Sequence, residues 1–361
     1  MNEKTTTNRE ALVKIANLVR PALSTQAYIP ALKHIKFDGK YATTYNDVAG
    51  IAVRCEIEVN RCLPGETLIK ALASFGAESI MIQQSSDAAV VLSSGRSKLK
   101  LPTMAPADFP FALPTEEAPE IDIDAAMLKG IERCLLSVGN DPTHPAQMGV
   151  TLDVDGNGHA VLYSTDNYTV SRYQTKSKID LPADTPVIMP TFFCEQLVSL
   201  SRAFPDKEIV MVMMAGALLV EIGNSARVFT KTISDLLPLD FPRIIEKHFK
   251  LAGLKDQLSM IPDSFDASLG RALLVLSGEV DKSTKITLSN ESLRMSSTSS
   301  MGDSDDSMTF DGDGKAEPFF IDPSLILRAS KVCGLIGFLP KVVVMADPDA
   351  VFVHLVAHCS K

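Results

Sequence analysis

Apolar residues recur at helical spacing in three segments, "NREALVKIANLVRPAL" (8–23), "DAAMLKGIERCLLSVG" (124–139) and "DSFDASLGRALLVLSG" (263–278). Hydrophobic positions three and four residues apart form one stripe on a helix, and an Asn or Asp near each start can cap free N–H groups. Behind each helix the period shortens to two. "IKFDGKYATTY", "VTLDVDGNGHAVLYST" and "KITLSNESLRMSST" alternate about Asp38-Gly39, Asp155-Gly156 and Asn290-Glu291, which predicts three hairpins. A second helix follows each time, over 63–76, 189–204 and 321–334, with Pro64, Pro190 and Pro323 at or just before its start. A missing N–H costs nothing there. Each unit then closes on a further hairpin, the middle one holding the apolar run "IVMVMMAGALLV" (209–220). That run is too short to span a bilayer, and it reads as two buried strands joined by a turn.

One supersecondary order written three times makes a repeat. The modules run 1–117, 118–249 and 250–361, each α+β, with two helices covering one face of an antiparallel sheet. Asp108-Phe109-Pro110 and Asp240-Phe241-Pro242 stand just past the closing hairpins of the first two modules and mark the exit from each.

Composition adds an ordinary globular frame: 361 residues, 45% hydrophobic and 22% charged. The start "MNEKTTTNRE" has no apolar core of a signal peptide, and the six cysteines form no CxxC pair, so a reduced, cytoplasmic protein is expected. A net charge of −9 argues against nucleic acid as a partner until the charges are placed. The helical segments carry Lys14, Arg20, Lys70, Lys129, Arg133, Arg202, Arg271, Arg328 and Lys331. Their acids gather near the helix starts, at Glu10, Glu66, Asp124, Asp266 and Asp322, where they suit the helix dipole. Elsewhere acid accumulates at Glu116, Glu117 and Glu120 and in "DSDDSMTFDGDG" (303–314). The helices are thus basic in an acidic chain. With no Trp and no recognition helix, they suit phosphate contact without base readout.

"SGRSKLKLPTMAPADFP" (94–110), "STDNYTVSRY" (164–173) and "PALKHIKFDGKYATTYND" (30–47), in this order and spacing, resemble the sliding-clamp family, the beta subunits of bacterial DNA polymerase III. The resemblance covers essentially the whole chain. It implies the DNA clamp fold, three domains per subunit, and two subunits closed head to tail as a homodimer ring around duplex DNA. The nine helical cations would then face DNA. The DNA polymerase and the clamp loader would dock through short peptide motifs in a groove between the second and third domains. The matching groove positions are Thr165, Asp166, Asn167, Tyr168, Thr169 and Val170, then Phe241, Pro242 and Ile245, then Ala357, His358 and Cys359. The matching ring-closing positions are Arg96, Leu99 and Leu101 on one side and Val275 and Leu276 on the other. Three departures stand out. Tyr168-Thr169 replaces the family's His-Arg pair, "RIIEKH" (243–248) replaces an arginine-rich stretch, and the ending from Ala357 replaces a bulkier apolar tail. A changed peptide preference is the expectation.

Catalytic chemistry is thin. The sequence has no HExxH, GxSxG, Walker loop or GxGxxG, so neither catalysis nor a cofactor is expected. The acidic stretch lacks the glycine an EF-hand loop needs and reads as a solvated loop, not a metal site. Two other readings stay open at this point: a peptide-binding scaffold that forms no ring, and an α+β enzyme of unrecognised type.

Overall fold

The computed structural model describes the chain apart from residues 1–3, 26–27, 115–116, 182–184, 233–237, 248–250, 252, 290, 313–316 and 360–361. Glu116, Asn290, His248 and the end of the acidic stretch therefore lie outside the described residues. Six helices form where the apolar stripes predict them, α1 Arg9–Val19, α2 Gly65–Ser74, α3 Ala125–Cys134, α4 Thr191–Ala203, α6 Phe265–Val275 and α7 Pro323–Ser330, and a short one that the stripes do not predict, α5 Phe241–Glu246, follows the second Asp-Phe-Pro exit. Asn8 caps α1 by accepting the Ala11 N–H, and Asp322 caps α7 by accepting that of Ser324. The expected Asp cap of α6 is absent: Ser264 takes that place without a side-chain bond.

Contacts gather the chain into two compact units, one from residues 1–124 and 195–234, the other from 125–194 and 235–361. They cut through the middle sequence module because its strands extend the sheets of both neighbours. In the first unit an eight-stranded sheet runs Asn60–Pro64, His34–Asp38, Tyr41–Tyr45, Ala49–Arg54, Ala226–Lys231, Ala217–Ile222, Ile209–Met214 and Glu120–Asp122. In the second, the same order is built from Val187–Pro190, Gly149–Val154, His159–Thr165, Thr169–Lys178, Phe352–Ala357, Val342–Ala346, Leu335–Phe338 and Ser259–Met260. Every pairing in both is antiparallel.

Helices cover one face of each sheet. Leu12, Ala16 and Val19 of α1 are buried, and Thr44 Oγ1 donates to the Val19 carbonyl. The matching bond in the second unit runs from Ser164 Oγ to the Cys134 carbonyl at the end of α3. Gly130 lets α3 approach closely, since a Cβ there would stand 2.4 Å from Leu162 Cδ1. Thiols lie in these cores, and burial raises the pKa of Cys55 and Cys333 to about 12 and of Cys62 to about 11.

Each unit also holds a four-stranded sheet. One ends on Ser97–Pro102 and the other on Gly302–Thr309 as edge strands. The second edge corrects the sequence reading: most of the acidic stretch is a strand, not a loop. Its pairing with Ser292–Ser299 is supplied by the backbone, and Met308 turns inward to anchor it. Among the described residues no helix is long and apolar enough to cross a membrane.

Candidate functional site

The face of the second unit's sheet opposite α3 carries a depression of about 280 Å³. Its floor comes from the pairing of Thr169–Lys178 with Phe352–Ala357, which sets Val170 opposite Leu355. Val342 and Ala357 extend the floor, Leu239 and Ile244 of the α5 segment form one wall, and Thr165, Asn167, Tyr168 and Gln147 form a polar lip.

The lip is locally determined. Asp166 Oδ1 accepts the N–H groups of Tyr168 and Thr169 at 3.0 and 2.6 Å, folding a tight turn in which Asn167 takes a φ of +72°. Asn tolerates that left-handed conformation better than most residues. The turn places the Asn167 amide oxygen 2.6 Å from Gln147 Nε2 and leaves the Tyr168 side chain 69% exposed over the groove. The Tyr168 carbonyl accepts the Ala357 N–H at 2.8 Å, tying the turn to the last strand. On the far wall Asp240 accepts the Arg243 N–H to start α5, and the Phe241 ring stacks on Tyr163 at 5.0 Å. An apolar floor with a hydrogen-bonding lip suits a short peptide carrying one or two apolar anchors.

Of the expected groove residues, Thr165, Asn167, Tyr168, Val170 and Ala357 line the depression. Thr169 and Ile245 are buried beside it, and Pro242 is exposed at the first turn of α5 without lining it. His358 stacks on Phe319 at 3.9 Å, and the Cys359 N–H bonds the Phe320 carbonyl at 2.8 Å, so the tail is pinned to another strand. Gln147, Leu239, Ile244, Val342 and Leu355 were not foreseen. Only the apolar character of "LDFPRII" (239–245) pointed toward two of them.

Directly behind the floor, on the helix side, His354 is fully buried. Its Nδ1 meets Ser171 Oγ at 2.9 Å and Ser137 Oγ at 3.4 Å. Burial, with a smaller contribution from the Arg328 charge, lowers its pKa to about 3.

The expected ring-closing residues differ in exposure. Leu101 and Leu276 are each 2% exposed and belong to the cores, while Leu99 and Val275 are half-buried. The helix phase instead turns Leu274 outward at 73% exposure, with Val280 and Met301 exposed as well. Of the helical cations, Arg20 is clamped by Glu66 at 2.9 and 3.0 Å and Arg271 is paired with Asp306 at 2.6 Å. Lys14, Lys70, Lys129, Arg202, Arg328 and Lys331 are exposed, and Arg133 is half-buried.

No family model matches the chain. The beta sliding clamp of Vibrio cholerae is 21% identical over 302 residues, covering 81% of this chain and 80% of that protein. A sliding clamp from Pseudomonas aeruginosa, solved bound to griselimycin, superposes with a TM-score of 0.84 at 18% identity over 100% of both chains. The clamp of Bacillus subtilis gives 0.83 at 19% identity, again over 100% of each chain. The fold is that of the bacterial sliding clamps. The chain is a divergent relative of them, and its depression lies on a sheet of that fold. Among the described residues no group of three His, Cys, Asp or Glu side chains could hold a metal ion.

Proposed function

We propose that this chain is a sliding clamp, a non-catalytic cytoplasmic tether that keeps a DNA polymerase on duplex DNA and receives its partners, the clamp loader included, as peptides in the groove of the second unit. The observation that carries the reading is the groove itself: an open apolar floor across the pairing of Val170 with Leu355, on a clamp fold. Its proposed domains are the three sequence modules, 1–117, 118–249 and 250–361.

Ring closure is supported by the two edge strands. Ser97–Pro102 presents Lys98 and Lys100 beside Arg96, all exposed, whereas Gly302–Thr309 presents Asp303 and Asp305. Unpaired edges invite strand addition, and opposite charge selects the basic edge of one copy for the acidic edge of another. A heterologous contact of this kind closes when the rotation between copies allows it. Two copies would make a homodimer, with Leu274 near the joint in place of Leu276. DNA is proposed to be held by the exposed helical cations through sequence-independent phosphate contacts, weakened by salt.

The test is sedimentation of Lys98→Glu/Lys100→Glu, alone and mixed with Asp303→Lys. The double variant is expected to be a folded monomer, and the mixture to regain a dimer. Loaded on a nicked circle, the wild type is expected to stay bound and to run off once the circle is cut. Retention on linear DNA equal to that on the circle would overturn the reading.

A further inference from the structure

The two eight-stranded sheets share a register as well as an order. Tyr45 pairs with Gly50 as Thr165 pairs with Val170, and Gly50 pairs with Phe229 as Val170 pairs with Leu355. One step along, Ala52 is flanked by Thr43 and Arg227, as Arg172 is flanked by Tyr163 and Val353. The sheet face opposite α1 in one unit and opposite α3 in the other therefore has two neighbouring positions for a bulky group. In the second unit Phe241 covers the inner one, stacked on Tyr163, and the outer one is the groove. In the first unit the filling is reversed. Phe111 stacks on Tyr45 at 4.2 Å and covers the outer position, while the inner one stays open as a cavity of about 250 Å³.

That cavity is chemically unlike the groove. Tyr41, Thr43, Phe111 and Leu113 line its body, and Lys36 and Arg227 bring two cations to it. The Arg227 guanidinium lies 5.4 Å from the centre of the Tyr41 ring, with its Nε 2.8 Å from Glu221. The one acid in the lining, Asp38, is occupied by the backbone N–H groups of Lys40 and Tyr41 at 3.0 and 2.7 Å. An apolar slot with cations at its mouth complements an aromatic ring flanked by carboxylates.

We propose that this cavity is a second docking site, taking an acidic peptide segment of a partner protein that carries an aromatic side chain. The ring occupies the position Phe241 fills in the other sheet, and the flanking carboxylates meet Lys36 and Arg227. The site does not depend on ring closure or on DNA.

The probe is a fluorescein-labelled Glu-Asp-Phe-Glu-Asp peptide titrated into the full chain at low salt and followed by anisotropy. Saturable binding is expected, weakened at least tenfold by Lys36→Glu and by Thr43→Trp, which fills the slot. Val170→Asp, in the other groove, is expected to change the affinity less than twofold. Circular dichroism of each variant checks folding, and Lys36→Glu, on a partly exposed strand position, keeps the test open if Thr43→Trp misfolds. The proposal is overturned by any of three results: absence of saturable binding, Lys36→Glu binding as the wild type does, or loss of binding in Val170→Asp. A dT pentanucleotide that displaces the probe better than unlabelled peptide does would also overturn it, making nucleic acid the occupant.

Discussion

The two long sheets differ at the places where strands of the middle module meet those of its neighbours. In the first unit the join between Ala49–Arg54 and Ala226–Lys231 is apolar on the helix side, where Ile51 faces Val228, and is covered by Phe111 on the other. In the second unit the equivalent join places Ser171 opposite His354 on the helix side and leaves Val170 half-buried beside the buried Leu355, at the floor of the groove, on the other. Backbone register is the same in both. What decides whether a sheet face closes or stays available is a few side chains: a glycine that admits its own chain's ring, or a valine that stands in its place. Gly50 is the clearest instance, since a Cβ there would lie 2.8 Å from the Phe111 ring.

The comparison can be broken first at its two aromatics. Phe241 is buried and stacked, so Phe241→Ala is expected to cost about 3–5 kcal/mol of unfolding free energy, as large aromatic truncations in cores do. Phe111 is only half-buried, and Phe111→Ala should cost clearly less, read from urea transitions of both variants. Equal losses would mean that the two rings play the same part.

The helix-side polar contact predicts an acid dependence. A histidine with a lowered folded pKa favours the neutral native state, so the unfolded chain takes up protons first as pH falls. Stability is full above the ordinary value near 6.5 and is lost progressively down to about 3, the value His354 is lowered to. The loss at pH 4.5 is on the order of 2–3 kcal/mol. His358, lowered by burial to about 4, adds to it in the same direction. In His354→Leu the Ser137 and Ser171 hydroxyls still have each other at 2.8 Å, and about half of the combined slope is expected to vanish from thermal melts taken between pH 7 and 4.5, the rest being that of His358. A slope unchanged by that substitution would assign the acid sensitivity elsewhere.

Binding at the groove is expected to change less in energy but more selectively. Val170→Asp replaces the apolar floor with a charge and should weaken a Leu- or Phe-anchored clamp peptide by about 1.5–3 kcal/mol, the worth of one well-buried side chain. Titration with such a peptide checks it, and unfolding curves should barely move. The smallest effect is expected at Gly50→Ala. The Phe111 ring can shift toward the neighbouring cavity, so the loss should stay within about 1 kcal/mol. A larger loss would show that the ring has no room to yield.

Much of the fold was legible because each module repeats strong local signals. The Asp-Gly hairpins, the helix-start prolines and the Asp-Phe-Pro exits depend on a few neighbouring residues each. What escaped depends on phase or on distance. Leu274 and Leu276 stand two apart on an apolar helix, and only the direction in which α6 packs tells the exposed one from the buried one. The acidic edge strand escaped because its hydrogen bonds come from the backbone and its side chains, apart from Met308, carry little apolar alternation. The groove was half legible: its turn lies in one quoted stretch, but Gln147, Leu239 and Val342 reach it from separate segments that share no local pattern.

The buried thiols have a kinetic consequence. Alkylating reagents attack the thiolate, and groups raised to about 11 or 12 expose almost none of it at neutral pH while the cores stay shut. Cys55 and Cys62 lie in the first unit and Cys333 in the second. Modification at each site therefore counts openings of its own surroundings, and the native chain carries a separate clock for each half.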